Sequence, residues 1–162
     1  MEILDLYDNQ GRKTTEKIER GNTIPEDKNI MLSVIFIKNN KGEYLIQKTS
    51  KQKGNRYSST GGHVVNGESG FEAIKRELDE ELGINVEDNK IKYLSTFKYP
   101  KKNCLFNVYI LNIELEEIEN IKLQEEEVEE IKFISVNEII NIINEGNFLE
   151  SHAYIFEKYI NC

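Results

Sequence analysis

Gly62 to Ile84 reads GHVVNGESGFEAIKRELDEELGI, and its second part carries the marks of a complete helix. Ser69-Gly70-Phe71-Glu72 has the S-x-x-E form of a capping box, in which hydroxyl and carboxylate satisfy orphan backbone donors reciprocally. Gly83 stands where a left-handed residue closes such a helix. Phe71, Ile74, Leu78 and Leu82 recur at three- and four-residue steps, which makes one apolar stripe. Glu77, Glu80 and Glu81 fall at i, i+3 and i+4, so their carboxylates share a different face. The spacing predicts a docked helix that presents three clustered acids.

Like charges at these spacings cost an isolated helix a few tenths of a kcal/mol per pair, roughly. Arg76 can pair with Glu80 one turn on, but one guanidinium does not neutralise three carboxylates. A hard divalent cation would, because Mg²⁺ and Mn²⁺ prefer carboxylate and water oxygens and bridge them to phosphates. A solvated acidic face is the plainer alternative, and the helix by itself leaves both open.

The residues ahead of the helix decide between them. Gly61-Gly62, after the β-prone Tyr57–Thr60, suggests a sharp turn that exposes backbone, and Asn66-Gly67 is a second turn signal. The full pattern is Gly62, five residues, Glu68, seven residues, Arg76-Glu77-Leu78, one residue, Glu80-Glu81, one residue, Gly83-Ile84. It resembles the signature of the Nudix hydrolases, G-x5-E-x7-R-E-U-x-E-E-x-G-U with U aliphatic, at all nine specified positions.

That resemblance implies cleavage of a pyrophosphate bond in a nucleoside diphosphate linked to another moiety, with Mg²⁺ or Mn²⁺ as cofactor. It implies that Glu77, Glu80 and Glu81 hold the metal, joined by the Gly62 carbonyl. Arg76 matches an arginine that orients the glutamates, and Glu68 a residue of supporting role near the substrate. Metal cations would offset the anionic oxygens and lower the pKa of a bound water, and a carboxylate must take its proton. Glu81 is one candidate for that base. Relatives often place a further glutamate downstream, which points to Glu125-Glu126-Glu127 and, within it, Glu127; a solvated loop is the alternative there. The box covers 23 of 162 residues and does not name the substrate.

Lys48, Lys51, Lys53 and Arg56 flank the loop entering the box, where they either meet phosphate oxygens or stand as surface cations. His63 follows the glycine pair as an orienting residue or a phosphate contact. Phe97 and Tyr99, at alternate strand positions, are expected in the core or on a sheet face, with base stacking as the other use.

The rest of the chain fits a soluble protein. At 162 residues, with 38% hydrophobic and 31% charged residues, it is expected to form a single domain over 1–162 with a proper core. A net charge of −8 argues against a nucleic-acid polymer or anionic membrane as partner, because phosphate backbones are bound by excess Lys and Arg. It does not exclude a small phosphorylated substrate. The acidic start MEILDLYDNQ lacks an apolar signal core, and no stretch reaches membrane-spanning length. Cys104 and Cys162 form no CxxC pair or ligand cluster, so a cytoplasmic location is expected and Cys104 reads as a small buried hydrophobe. A homodimer is compatible with all of this.

Glu2–Tyr7 and Lys13–Ile18 read as a hairpin, Ile30–Ile37 as a strand covered on both faces, and Tyr44–Lys48 as its partner. Ile91–Tyr99 and Leu105–Leu115 follow as long strands, then nine glutamates between Glu114 and Glu130, a short strand Ile131–Ile134, and helices over Val136–Ile143 and Phe148–Tyr159. Strands with a long central helix and a C-terminal helix give an α/β (α+β) class, and the resemblance implies an α/β/α sandwich with a mixed sheet.

Two other functions compete. The N-terminal layout also resembles Nudix proteins related to isopentenyl-diphosphate isomerases, which require a cysteine where this chain has Gly61 and histidines on early strands where Ile30–Ile37 has none. A non-catalytic nucleotide-sensing Nudix domain would be expected to lack a box carboxylate, and none is missing.

Overall fold

The computed structural model describes residues 1–51, 54–114 and 128–161. Strands β1 (Ile3–Tyr7) and β2 (Lys13–Glu19) form a hairpin of their own, closed by Asp8, whose carboxylate accepts from the Gln10 and Arg12 amides. Among the described residues the main sheet has seven strands: β3 (Ile30–Lys38), β4 (Tyr44–Thr49), β5 (Tyr57–Ser58), β6 (Thr60–His63), β7 (Ile91–Lys98), β8 (Cys104–Asn112) and β9 (Val128–Ile134). β3 and β8 run parallel through nine paired residues while the other pairings are antiparallel, so the sheet is mixed.

The apolar run of β3 follows from its place at the centre. Val34 and Phe36 pack on one face with Tyr44, Ile46, Phe106 and Val108, against helices α2 (Val136–Asn144) and α3 (Glu150–Tyr159). Ile35 and Ile37 face the other way, onto Ile74, Leu78 and Leu82 of helix α1 (Gly70–Leu82). Side chains alternate across a strand, so a strand covered on both faces must be apolar throughout. The result is the expected three-layer α/β/α sandwich.

One departure from the sequence reading shapes the site. Gly61-Gly62 does not make a turn; both residues lie in β6, paired with Val34 and Ser33 of β3. Neither glycine has a positive φ. At Gly61 the reason is close approach, since an added Cβ would overlap the Ser33 carbonyl and crowd the Val34 backbone. The 57–63 stretch crosses the sheet: β5 pairs with β4, and beyond Ser59 β6 pairs with β3. β3 and β4 themselves pair only at Lys38 and Tyr44, so the sheet splays open between them.

β9 begins at Val128, three residues before the apolar signal of Ile131–Ile134, and pairs with β4 alone among the described residues. An edge strand tolerates charge, which hides it from a hydrophobicity reading. No helix among the described residues is long and apolar enough to cross a membrane.

Candidate active site

Helix α1 forms as its ends dictate. Ser69 and Glu72 make both halves of the capping box, and Gly83, at φ 64°, closes the helix, its amide donating to the Asp79 carbonyl and the Ile84 amide to that of Leu78. Ser33 Oγ donates to the Gly70 carbonyl at 2.8 Å, fixing the helix start on the sheet. Burial of Ile74, Leu78 and Leu82 then fixes the rotation of α1 and turns Glu77, Glu80 and Glu81 towards the opening between β4 and β6.

There the three glutamates line one cleft of about 310 Å³, together with Gln47, Gly62, His63, Arg76 and His152. Glu77 lies against the strand so closely that a Cβ on Gly62 would overlap its carboxylate. Glu81 is buried, and Gln47 Nε2 donates to its Oε2 at 2.8 Å; Thr60 Oγ1 in turn donates to Gln47 Oε1 at 2.9 Å. Glu80 is half exposed at the rim.

Arg76 ties the acids to the box strand. Its Nε and Nη2 donate to the two oxygens of Glu68 at 2.7 and 3.0 Å, and Nη2 also reaches the His63 carbonyl at 3.0 Å. Nη1 donates to Glu77 at 3.0 Å and Glu80 at 3.2 Å. Burial acts to raise the Glu68 carboxyl, but the Arg76 hydrogen bonds and the Val65 amide hold it below its usual range. For Glu77 desolvation wins and its pKa is raised, with Arg76 pulling in the opposite direction.

The donor set suits a hard divalent cation: carboxylate oxygens, with the Gly62 backbone against Glu77. Among the described residues, no three acidic, His or Cys side chains are gathered into a ready ligand group. Arg76 Nη1 is paired with both Glu77 and Glu80.

The other sequence candidates are placed as follows. Glu68 is committed to Arg76 and does not line the cleft. Lys48 sits over the Tyr57 ring, 5.7 Å from its centroid. Its neighbours Gln47 and Thr49 line the cleft, so the period of two in β4 turns Lys48 away. Lys51 is exposed outside the cleft. Arg56 borders a second, more apolar recess of about 380 Å³, which shares Leu32, His63 and Leu149 with the first. Tyr99 is core and also borders that recess. Lys53 and Glu125, Glu126 and Glu127 lie outside the described residues.

Sequence reading missed Gln47, His152, Glu2 and Arg20, all of which line the cleft. His152, on α3, has Nδ1 2.9 Å from Ser59 Oγ. Burial brings its pKa down to about 4, a hydrogen bond with the Ser59 backbone acting in the opposite direction. No local pattern marks these residues, because the placing of β4, α3 and the hairpin beside the box brings them there.

The profile of the NUDIX domain family matches residues 30–159. The chain belongs to the Nudix family. It is similar to an uncharacterized Nudix hydrolase of Listeria innocua, 28% identical over 92% of this chain and 89% of that protein. It also resembles the 8-oxo-dGTP diphosphatase of Haemophilus influenzae, 34% identical over 54% of this chain and 65% of that one. The crystal structure of DR0079 from Deinococcus radiodurans shares the fold, with a TM-score of 0.78, 22% identity, and coverage of 98% of this Nudix chain and 99% of that one.

Proposed function

We propose that Glu77, Glu80 and Glu81, with the Gly62 carbonyl, hold Mg²⁺ or Mn²⁺ in this Nudix hydrolase, and that a substrate pyrophosphate bond is cleaved in the cleft they line. The enzyme class, a pyrophosphohydrolase acting on small phosphorylated compounds, follows from the family. One observation supports the site above the others: the Glu77 carboxylate rests on the Gly62 backbone in the same cleft as Glu80 and Glu81.

A bound divalent cation neutralises anhydride oxygens and lowers the pKa of a coordinated water. Arg76 orients Glu77 and Glu80 through one nitrogen, while Glu68 holds the guanidinium from the opposite side. Gln47 holds Glu81 through one oxygen, and Glu81 serves in this reading as metal ligand or as base towards the attacking water. Glu127 remains the alternative base proposed from sequence. His63 borders both cavities and is proposed to contact the substrate where the phosphates pass between them.

The adjoining recess, walled by Ile24, Ile30, Leu32 and Phe106, is proposed to take the moiety attached to the diphosphate, with Arg56 at its border. A nucleoside fits that chemistry, and the diphosphatase relative supports a nucleotide. The hairpin, the sandwich and the site form one domain in this reading, because the hairpin is bonded to the box turn through Asp5 and Gly67.

The test is hydrolysis of a panel of nucleoside triphosphates, nucleotide sugars, dinucleotides and non-nucleotide diphosphates with Mg²⁺ or Mn²⁺, reading released phosphate or pyrophosphate. Turnover should vanish with chelator and return with metal. Full activity in excess chelator would sink the mechanism.

A further inference from the structure

The cleft proposed to hold a polyanion has few cations among the described residues. Among the described residues, the basic side chains that line it are Arg76, His63, Arg20 and His152. Arg76 is spent on Glu68, Glu77, Glu80 and the His63 carbonyl. His152 is buried, and its lowered pKa keeps it neutral near pH 7. The lysines expected from sequence, Lys48 and Lys51, lie elsewhere. Arg20 is therefore the guanidinium at the cleft that is not spent on the acids of α1.

Its position is built by the hairpin. Arg20 follows β2 directly, its amide donates to the Glu2 carbonyl at 3.0 Å, and its Nη1 donates to Glu2 Oε2 at 2.8 Å. The hairpin is in turn bonded to the turn of the box. Asp5 Oδ2 accepts from the Gly67 amide at 2.9 Å, Lys17 Nζ donates to Asn66 Oδ1 at 2.6 Å, and the Asn66 amide reaches the Ile3 carbonyl at 2.8 Å. Buried Asp5 also takes Lys13 and Lys17, at 3.3 and 3.2 Å. These bonds tie the base of the hairpin to the segment that leads into α1, so Arg20 is held at the cleft mouth and not on a loose arm. Residues 1–29 precede the region that the family profile matches.

We propose that Arg20 is a substrate-positioning residue: it grips a phosphate of the diphosphate in the cleft, and Glu2 holds it ready there. The inference rests on the pyrophosphohydrolase reading above. A guanidinium offers five N–H donors in a planar fork that suits phosphate oxygens, and one of its nitrogens is used by Glu2. Glu2 and the incoming phosphate then compete for the same cation.

That competition gives a signed test. Inorganic pyrophosphate with Mg²⁺ is titrated calorimetrically into the full chain and into Arg20→Ala, Arg20→Lys, Glu2→Gln and Arg12→Ala. Arg12 is on the same hairpin, paired with Asp8 and away from the cleft, and serves as the control. Arg20→Ala should weaken binding about tenfold, as expected for a charge-assisted bond, with Arg20→Lys between it and the parent and Arg12→Ala unchanged. Glu2→Gln should tighten binding, because it releases the guanidinium. If the Arg20–Glu2 pair were only a structural tie, Arg20→Ala and Glu2→Gln would shift binding in the same direction or not at all, and either result overturns the proposal. A parent protein that neither binds Mg²⁺-pyrophosphate nor hydrolyses any compound of the panel fails the hydrolase reading itself. Parent binding with an unaltered Arg20→Ala variant fails Arg20 alone.

Discussion

Gln47 Nε2 donates to Glu81 Oε2 at 2.8 Å, joining β4, which is paired on both sides at this residue, to the buried end of the acidic helix face. Gln47 is itself held by Thr60 Oγ1, so a strand, a helix and the box strand share one chain of hydrogen bonds. A donor to the outer oxygen of a ligand or base fixes its orientation, and loss of such supporting partners typically costs about 10–100-fold in metal affinity or activity. Gln47→Leu should lower kcat by that order with KM little changed. Steady-state kinetics on the compound identified by the panel checks it, and a variant with parental kcat would show that Glu81 needs no such support.

The acids and the apolar stripe of α1 should separate in stability and turnover. Glu80 is half exposed, so Glu80→Gln should leave the melting temperature near that of the parent while turnover falls by orders of magnitude, as for a group acting mainly in the transition state. Leu78, 1% exposed, should behave in reverse: Leu78→Ala removes buried volume and costs about 2–5 kcal/mol of stability. Melting curves beside kcat for the two variants decide the matter. An early-melting Glu80→Gln that keeps its turnover would make the acid part of the scaffold.

Adjacent glycines should fail in different ways. At Gly61 an added methyl meets the Ser33 carbonyl and the Val34 backbone, which cannot move without breaking β3. Gly61→Ala should therefore cost about 1–3 kcal/mol or more by overpacking. At Gly62 the atoms nearest the methyl are the end of the Glu77 side chain, which can rotate away. Gly62→Ala should fold with a small loss and weaken Mn²⁺ binding at least tenfold. Denaturant midpoints and metal titration of both variants test the contrast, and equal metal affinity in Gly62→Ala and the parent would break it.

His152 predicts an acid-side loss of stability. Burial depresses its folded pKa to about 4, against an ordinary 6.5, so the native state resists a proton that the unfolded chain accepts. Its contribution is complete above pH 6.5, declines as pH falls below that, and is gone below about pH 4. The shift corresponds to about 3 kcal/mol across the window. His152→Asn keeps a polar partner near Ser59 and should flatten this part of the profile. Urea midpoints at pH 7.5 and pH 5 report it, and an undiminished fall in the variant would assign the effect to other groups.

Elements governed by neighbouring residues were legible before any fold was known. The capping box at Ser69 and Glu72, the left-handed Gly83, the Asn66-Gly67 turn and the Phe71–Leu82 stripe each depend on contacts within one or two helical turns, and all formed as read. The nine-position pattern named the family because its residues bind one another within a single strand-turn-helix unit, as the Arg76 contacts with Glu68, Glu77 and Glu80 show. Gly61-Gly62 was misread as a turn because glycine serves both left-handed backbone and close approach. Which of these applies depends on β3, about thirty residues earlier in the chain.

The sequence by itself determined the helix that carries the acids, the order of the strands along the chain and the chemistry of the clustered carboxylate oxygens. Tertiary structure alone decided which side chains meet them. The basic residues near the box make Lys48 a candidate, yet strand alternation places Gln47 in the cleft and Lys48 on the Tyr57 ring. Arg20 and His152 reach the cleft from opposite ends of the chain, one on a hairpin tied to the box turn and one on a helix packed across the sheet. Local patterns encode backbone conformation through short-range sterics and hydrogen bonds. The company a carboxylate keeps is set by burial of distant apolar faces against each other, and no spacing along the chain records it.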